Sequence, residues 1–203
     1  MNQIKLEPGD LLNKKGHLSQ AGYATKLVKV YDRKAIKAGK FRIKEWDYYL
    51  VYNKDFGIAL TVADNGYMGL ISASFLDFIT GETQTISPML FMTMGKLNLP
   101  SDSQTGDIHY KDDKLEISFT HEKEGRRLKL NIPHFYKRAS LFVDVMLTPT
   151  IEESMVIATP FKRKKKAFYY NQKIIGMRAN GSVNYRNQHY VFNPEESYGM
   201  LDW

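Results

Sequence analysis

Residues 42–81 read RIKEWDYYLVYNKDFGIALTVADNGYMGLISASFLDFITG, and their pattern decides the fold class. Alternation in the first part puts Trp46, Tyr48, Leu50 and Tyr52 on one side of an extended strand and Asp47, Tyr49, Val51 and Asn53 on the other. Both sides carry large side chains, so neither is simply a solvent face. Asn53-Lys54-Asp55 is a short polar turn, and Asn65-Gly66 is the pair that best tolerates the positive φ values of a tight two-residue hairpin loop. The stretch therefore predicts an antiparallel meander. Its third strand, drawn from Tyr67 to Thr80, is long enough to wrap around a strongly bent sheet or barrel.

Outward from this stretch the same period recurs. Lys26–Tyr31 predicts a short strand, and Glu82–Met94 a further one in which Pro88 removes a ladder donor and points to an edge or a bulge. Gly95–Gly106 reads as the longest loop and a flexible rim. In Arg126–Ile132, Leu128, Leu130 and Ile132 alternate with Arg127, Lys129 and Asn131, a strand with one wet face. Pro133–Lys137 reads as a break, Asn180-Gly181 as another hairpin, and the whole as ten to twelve strands without a strong amphipathic helix. The chain divides into an irregular lead-in over 1–25, an antiparallel β domain over 26–192, and a tail over 193–203. That tail, which ends on apolar residues through Trp203, reads as leading into a missing second domain or as a surface for self-association; the alternative is that Trp203 folds back and plugs one end of the barrel.

Composition narrows the function. The chain of 203 residues suits a β domain of barrel size, and aromatic content of 13% favours strands and aromatic-lined cavities. The formal charge of +7 would favour anionic partners, but it is dispersed apart from Lys162, Arg163, Lys164, Lys165 and Lys166. That run reads as a solvated hairpin end, or as a weak contact for an anionic surface; no specific nucleic-acid partner is expected. The absence of cysteine removes disulfides and thiolate chemistry and fits a cytoplasmic location. Five dispersed histidines without close spacing predict no metal site, and no phosphate-binding glycine motif or other cofactor signature is present.

The candidate chemistry lies in carboxylates on mixed apolar strands. Asp47, Asp77 and Asp144 each stand among large apolar neighbours, where low dielectric could raise the pKa enough for general-acid work. The alternative for each is an outward position beside one of many Lys and Arg side chains. Phe91, Met92 and Phe142, with further methionines, form either an adaptable apolar lining or ordinary core.

Several separated pieces together resemble a known family. GYAT (Gly22–Thr25), KEWDYYLVYNKDFGIALTVAD (Lys44–Asp64), TPFKRKKKAFYYNQKIIGMRANGSV (Thr159–Val183) and GMLDW (Gly199–Trp203) resemble the uncharacterised DUF2804 family. That family is similar to the AttH-like and carotenoid hydratase-like (hydroxyneurosporene synthase) proteins, whose fold is two consecutive lipocalin-like β barrels. By this resemblance Trp46 and Tyr48 match an aromatic pair after a lysine, and Tyr170, Lys173 and Gly181 match the aromatic/Lys/Gly pattern of later hairpins. The Gly-x-Trp of secreted lipocalin carriers is absent. The fold class expected is all-β, an antiparallel meander forming a lipocalin-like barrel. The function expected is binding of an apolar or lipid-like small molecule by Trp46, Tyr48, Phe91, Met92, Phe142, Tyr170 and Lys173. One alternative implied by the resemblance is a hydratase that protonates an isoprenoid-type double bond from Asp47, Asp77 or Asp144. Another is a structural or interaction module with a filled core.

Overall fold

The computed structural model describes residues 3–203 and is all-β, with 58% of residues in strands and 3% in helix. The N-terminal segment carries β1 (Gly9–Asp10), β2 (Gly22–Ala24) and β3 (Lys29–Val30), followed by two single turns of 3-10 helix at Arg33–Ala35 and Lys40–Arg42. The predicted meander follows as β4 (Glu45–Tyr52), β5 (Phe56–Asp64) and β6 (Met68–Asp77). Next come β7 (Thr83–Ile86), β8 (Met89–Phe91), β9 (Ile108–Lys111), β10 (Glu116–Glu122), β11 (Gly125–Tyr136) and β12 (Ala139–Thr148). The chain finishes with β13 (Met155–Phe161), β14 (Lys164–Tyr185), β15 (Gln188–Phe192) and β16 (Tyr198–Asp202). No helix among the described residues is long and apolar enough to cross a membrane.

The main sheet runs in the order β7-β6-β5-β4-β16-β14-β12-β11-β10-β9, and the strands along this path pair antiparallel. Its end strands β7 and β9 are not hydrogen-bonded to each other, so among the described residues the path stays open. The sheet is nevertheless rolled on itself. Tyr49 of β4 meets Phe119 of β10 edge-on with ring centroids 4.7 Å apart, and Phe75 of β6 meets Tyr185 of β14 at the same distance. These rings belong to one buried cluster that draws on the inward face of every strand of the path except β7, with Val51, Leu60, Leu128, Val145 and Leu201 fully buried in it. The interior is thus filled by side chains.

The pattern of β4 explains its orientation. Asp47, Tyr49 and Val51 are buried while Trp46, Tyr48 and Leu50 are half-buried on the outer side, so the inward set is the one that begins with a carboxylate. Asn53 closes the turn to β5, its side chain accepting from the backbone N–H of Asp55 and Phe56.

Two local readings are corrected, and both ends of the chain find their packing. Asn180-Gly181 is no hairpin: β14 continues through it, paired with β12 on one side and β15 on the other. Gly181 has φ +147, and a Cβ there would stand 2.2 Å from the carbonyl oxygen of Asp144, so the glycine serves close strand approach rather than reversal. Pro133 does not break β11, which absorbs it with a register shift between Ile132 and Tyr136. Residues 198–202 form β16 in the middle of the sheet, hydrogen-bonded to β4 on one edge and β14 on the other, with Ser197 and Leu201 fully buried. The lead-in is also packed: Leu6, Leu11, Leu12 and Ala24 join Val156 and Ala158 in a second, smaller core.

That second core positions the site. The 22-residue β14 shifts register against β16 between Ile174 and Met177. Beyond this point its N-terminal half leaves β12, takes β13 as its partner and, through β13, carries β2. This arm and the connector 31–47 line one cleft together.

Candidate functional site

Between that arm and the connector lies a cleft of about 520 Å³. The connector contributes Tyr31, Ile36, Ile43, Trp46 and Asp47 to its lining, β14 contributes Phe168, Tyr169 and Tyr170, and Trp203, Leu99 and Pro100 join them. Trp46 stacks on Tyr169 with centroids 6.0 Å apart, while Trp203 stands edge-on to both Tyr31 (6.3 Å) and Tyr170 (5.9 Å). Both tryptophans of the chain therefore face this one space.

Polar contacts fix the walls. Trp203 exchanges backbone hydrogen bonds of 2.9 Å with Gln172 in both directions, which extends the pairing of β16 to the final residue. Asp202 accepts from the Trp46 indole N–H at 3.3 Å, from the Asn171 amide and from Lys173. Glu45 accepts from Tyr31 and Arg33. Burial pushes the phenols of Tyr31 and Tyr170 up to about 12, so both remain neutral donors.

The rim expected to be flexible is tied down. Asp64, fully buried, accepts from the backbone N–H of Gly66 (2.9 Å), the Thr93 hydroxyl (2.9 Å) and the backbone N–H of Gly95 (2.7 Å). A Cβ at Gly95 would stand 2.7 Å from Nε of Arg33, so glycine there lets the guanidinium lie against the loop. Ser103 donates to Gln172, whose amide in turn donates to Ser154 at 2.8 Å.

Asp47 is the chemically distinctive group. It is 5% exposed, and burial pushes its carboxyl up to about 7 against the opposing pull of the Arg126 guanidinium. Arg126 is buried too, donating to the Tyr49 hydroxyl at 3.2 Å and meeting Nε2 of His121 at 3.0 Å. His121 Nδ1 stands 3.4 Å from the exposed carboxylate of Asp107. A carboxyl near 7 is about half protonated at neutral pH and can donate a proton into the cleft.

The other sequence candidates lie elsewhere. Asp77 is half-buried at the end of β6, where N–H donors of Thr80 and Ile79 hold its carboxyl below the ordinary range. Asp144 faces outward on β12, where paired hydrogen bonds from Arg127 (2.7 and 2.9 Å) hold its carboxyl low. Of the apolar candidates, Trp46 and Tyr170 line the cleft. Tyr48 is half-buried on the outer face of β4, and Lys173 is engaged by Asp202 outside the lining. Phe91 is 92% exposed on β8 with Met92 exposed beside it. Phe142 is on the outer face of β12, in a separate groove of about 300 Å³ with Asp144. Sequence reasoning passed over Tyr31, Glu45, Tyr169 and Arg126; Arg126 shares the inward parity of Leu128 and Leu130, a readable signal. Among the described residues no three His, Asp or Glu side chains come together as a metal site would require.

A family model for a domain of unknown function, DUF2804, matches residues 2–203. The chain belongs to the DUF2804 family. No curated protein sequence matches this DUF2804 chain. Its fold is similar to that of an AttH-like protein from Nitrosomonas europaea, at TM-score 0.56 and 13% identity over 88% of this chain and 56% of that one. It is also similar to kievitone hydratase from Nectria haematococca, at TM-score 0.46 and 11% identity, over 86% of this chain and 54% of that one. The DUF2804 chain thus spans little more than half the length of either structure.

Proposed function

We propose that the protein binds an apolar, lipid-like small molecule at the mouth of a lipocalin-like barrel. One observation carries this reading: a 520 Å³ cleft walled by stacked and edge-on aromatic rings. Its volume falls within the roughly 300–1,000 Å³ of small-molecule sites, and aromatic walls with a few fixed polar groups are their usual lining. Because the interior is filled, this reading seats the ligand in the cleft rather than inside the rolled sheet. A purely structural module would need the filled interior but not the cleft.

The two tryptophans provide the assay. The neutral dye phenylnaphthylamine should quench tryptophan emission saturably as its own emission rises. Ala167 lines the cleft, so Ala167→Phe should abolish both changes while leaving the urea midpoint unaltered. Quenching that survives Ala167→Phe would put the dye elsewhere and end this reading.

Asp47 favours a second reading, acid-catalysed hydration of an alkene. The π electrons of the double bond take the proton of the Asp47 carboxyl. Water adds to the adjacent cation, which the faces of Trp46 and Tyr169 stabilise, and the proton lost by that water restores the acid. Isoprenoid alkenes incubated in oxygen-labelled water should gain label with wild type and not with Asp47→Asn. Equal labelling by both proteins would reject the acid role.

A further inference from the structure

We propose that the ligand is an anionic amphiphile, its apolar body against Trp46 and Tyr169 and its acidic head at the mouth among Arg42, Lys44, Lys164 and Lys166. This rests on the reading of the cleft as a ligand site. All four cations line the cleft, and all four are exposed. Among the described residues none of them has a carboxylate within 4.0 Å, unlike Arg33, Arg127 and Lys173.

The strand period selects which lysines take part. Lys164 and Lys166 are two apart on β14 and project to one side, whereas Lys165 between them is absent from the lining. The connector supplies Arg42 and Lys44 to the same lining. The carboxylates of the cleft do not cancel this charge, since Glu45 is occupied by Tyr31 and Arg33, and burial keeps Asp47 partly neutral. Aromatic walls alone could equally hold a cation. Four unpaired positive charges at the mouth repel one and attract an anion instead.

Anilinonaphthalene sulfonate and phenylnaphthylamine share one aromatic body and differ by the sulfonate, so their Kd values isolate the head group. The sulfonate is expected to bind at least about fivefold more tightly, each exposed charge contributing modestly. Lys164→Gln with Lys166→Gln should erase that preference without altering phenylnaphthylamine binding or the urea midpoint. Lys54→Gln with Lys114→Gln, exposed lysines at turns beyond β4 and β9, should preserve it. If the neutral dye binds in the cleft but the sulfonate gains nothing, or if the control pair removes the gain equally, this inference fails and the ligand site stands. If neither dye quenches the tryptophans, the ligand site fails as well. Sedimentation with anionic phospholipid vesicles that requires Lys164 and Lys166, without any sulfonate preference in solution, would reassign the basic mouth to a membrane surface and overturn the inference.

Discussion

Replacing Asp47 by Asn should make the protein more stable at alkaline pH and remove part of its pH dependence. The folded carboxyl titrates near 7 against an ordinary value of 3.8, so the native state holds a proton that the unfolded chain has released between those limits. Stability therefore falls as pH rises from about 4 to about 7, and the full penalty persists above. The difference corresponds to about 4 kcal/mol in the cost of ionising the group, and it applies with little solvent screening because the side chain is buried. Asparagine cannot ionise, so the variant should gain up to about 4 kcal/mol over wild type near pH 8 and almost nothing near pH 4. Urea unfolding of both proteins across this range gives the difference directly, since every other titrating group is common to the pair. A stability difference that is flat with pH would refute the reasoning. So would a variant that loses ground as pH rises; the first result means that Arg126 fully offsets burial, the second that it outweighs burial and holds Asp47 ionised.

Two further substitutions test the frame around the site. Leu201→Ala, at a fully buried position of β16, should cost about 2–5 kcal/mol in urea unfolding, and a loss below about 1 kcal/mol would show that the last strand is peripheral. Gly181→Ala should cost about 2–4 kcal/mol by the same measurement, because the new Cβ meets the Asp144 carbonyl and the Val145 Cα rather than a flexible side chain; a neutral result would mean that β12 and β14 separate there easily.

The meander was legible because its signals are local. The Asn53 and Asn65-Gly66 turns and the period-2 pattern of β4 and β5 need no distant partner to be read. Gly181 failed for the complementary reason. An Asn-Gly pair looks alike whether the chain reverses there or runs straight past a neighbouring strand, and the choice was made by the carbonyl of Asp144, thirty-odd residues away. The tail could not be placed for a similar reason: a short run of apolar residues after Pro194 shows no partner until β4 and β14 are seen on its two edges.

The site was half legible, and parity separates the halves. Asp47 has the parity of Tyr49 and Val51, and Arg126 that of Leu128 and Leu130, so each is a charge on a strand face that is otherwise buried. Such a charge either turns aside at the strand end or stays buried with a shifted pKa and a polar partner. Asp144, by contrast, shares the parity of Phe142 and Met146, which is the outer face, and its apolar neighbours in sequence are not its neighbours in space. Phe91 fails in the same way, since β8 is a three-residue strand paired on one edge only, to β6. No reading of single strands could have joined Asp47 to Trp203, because the cleft forms where the half of β14 that pairs with β13 comes together with the connector and the last residue. The buried charges mark the end of the rolled sheet where the candidate site lies, and the N-terminal half of β14 supplies part of its lining.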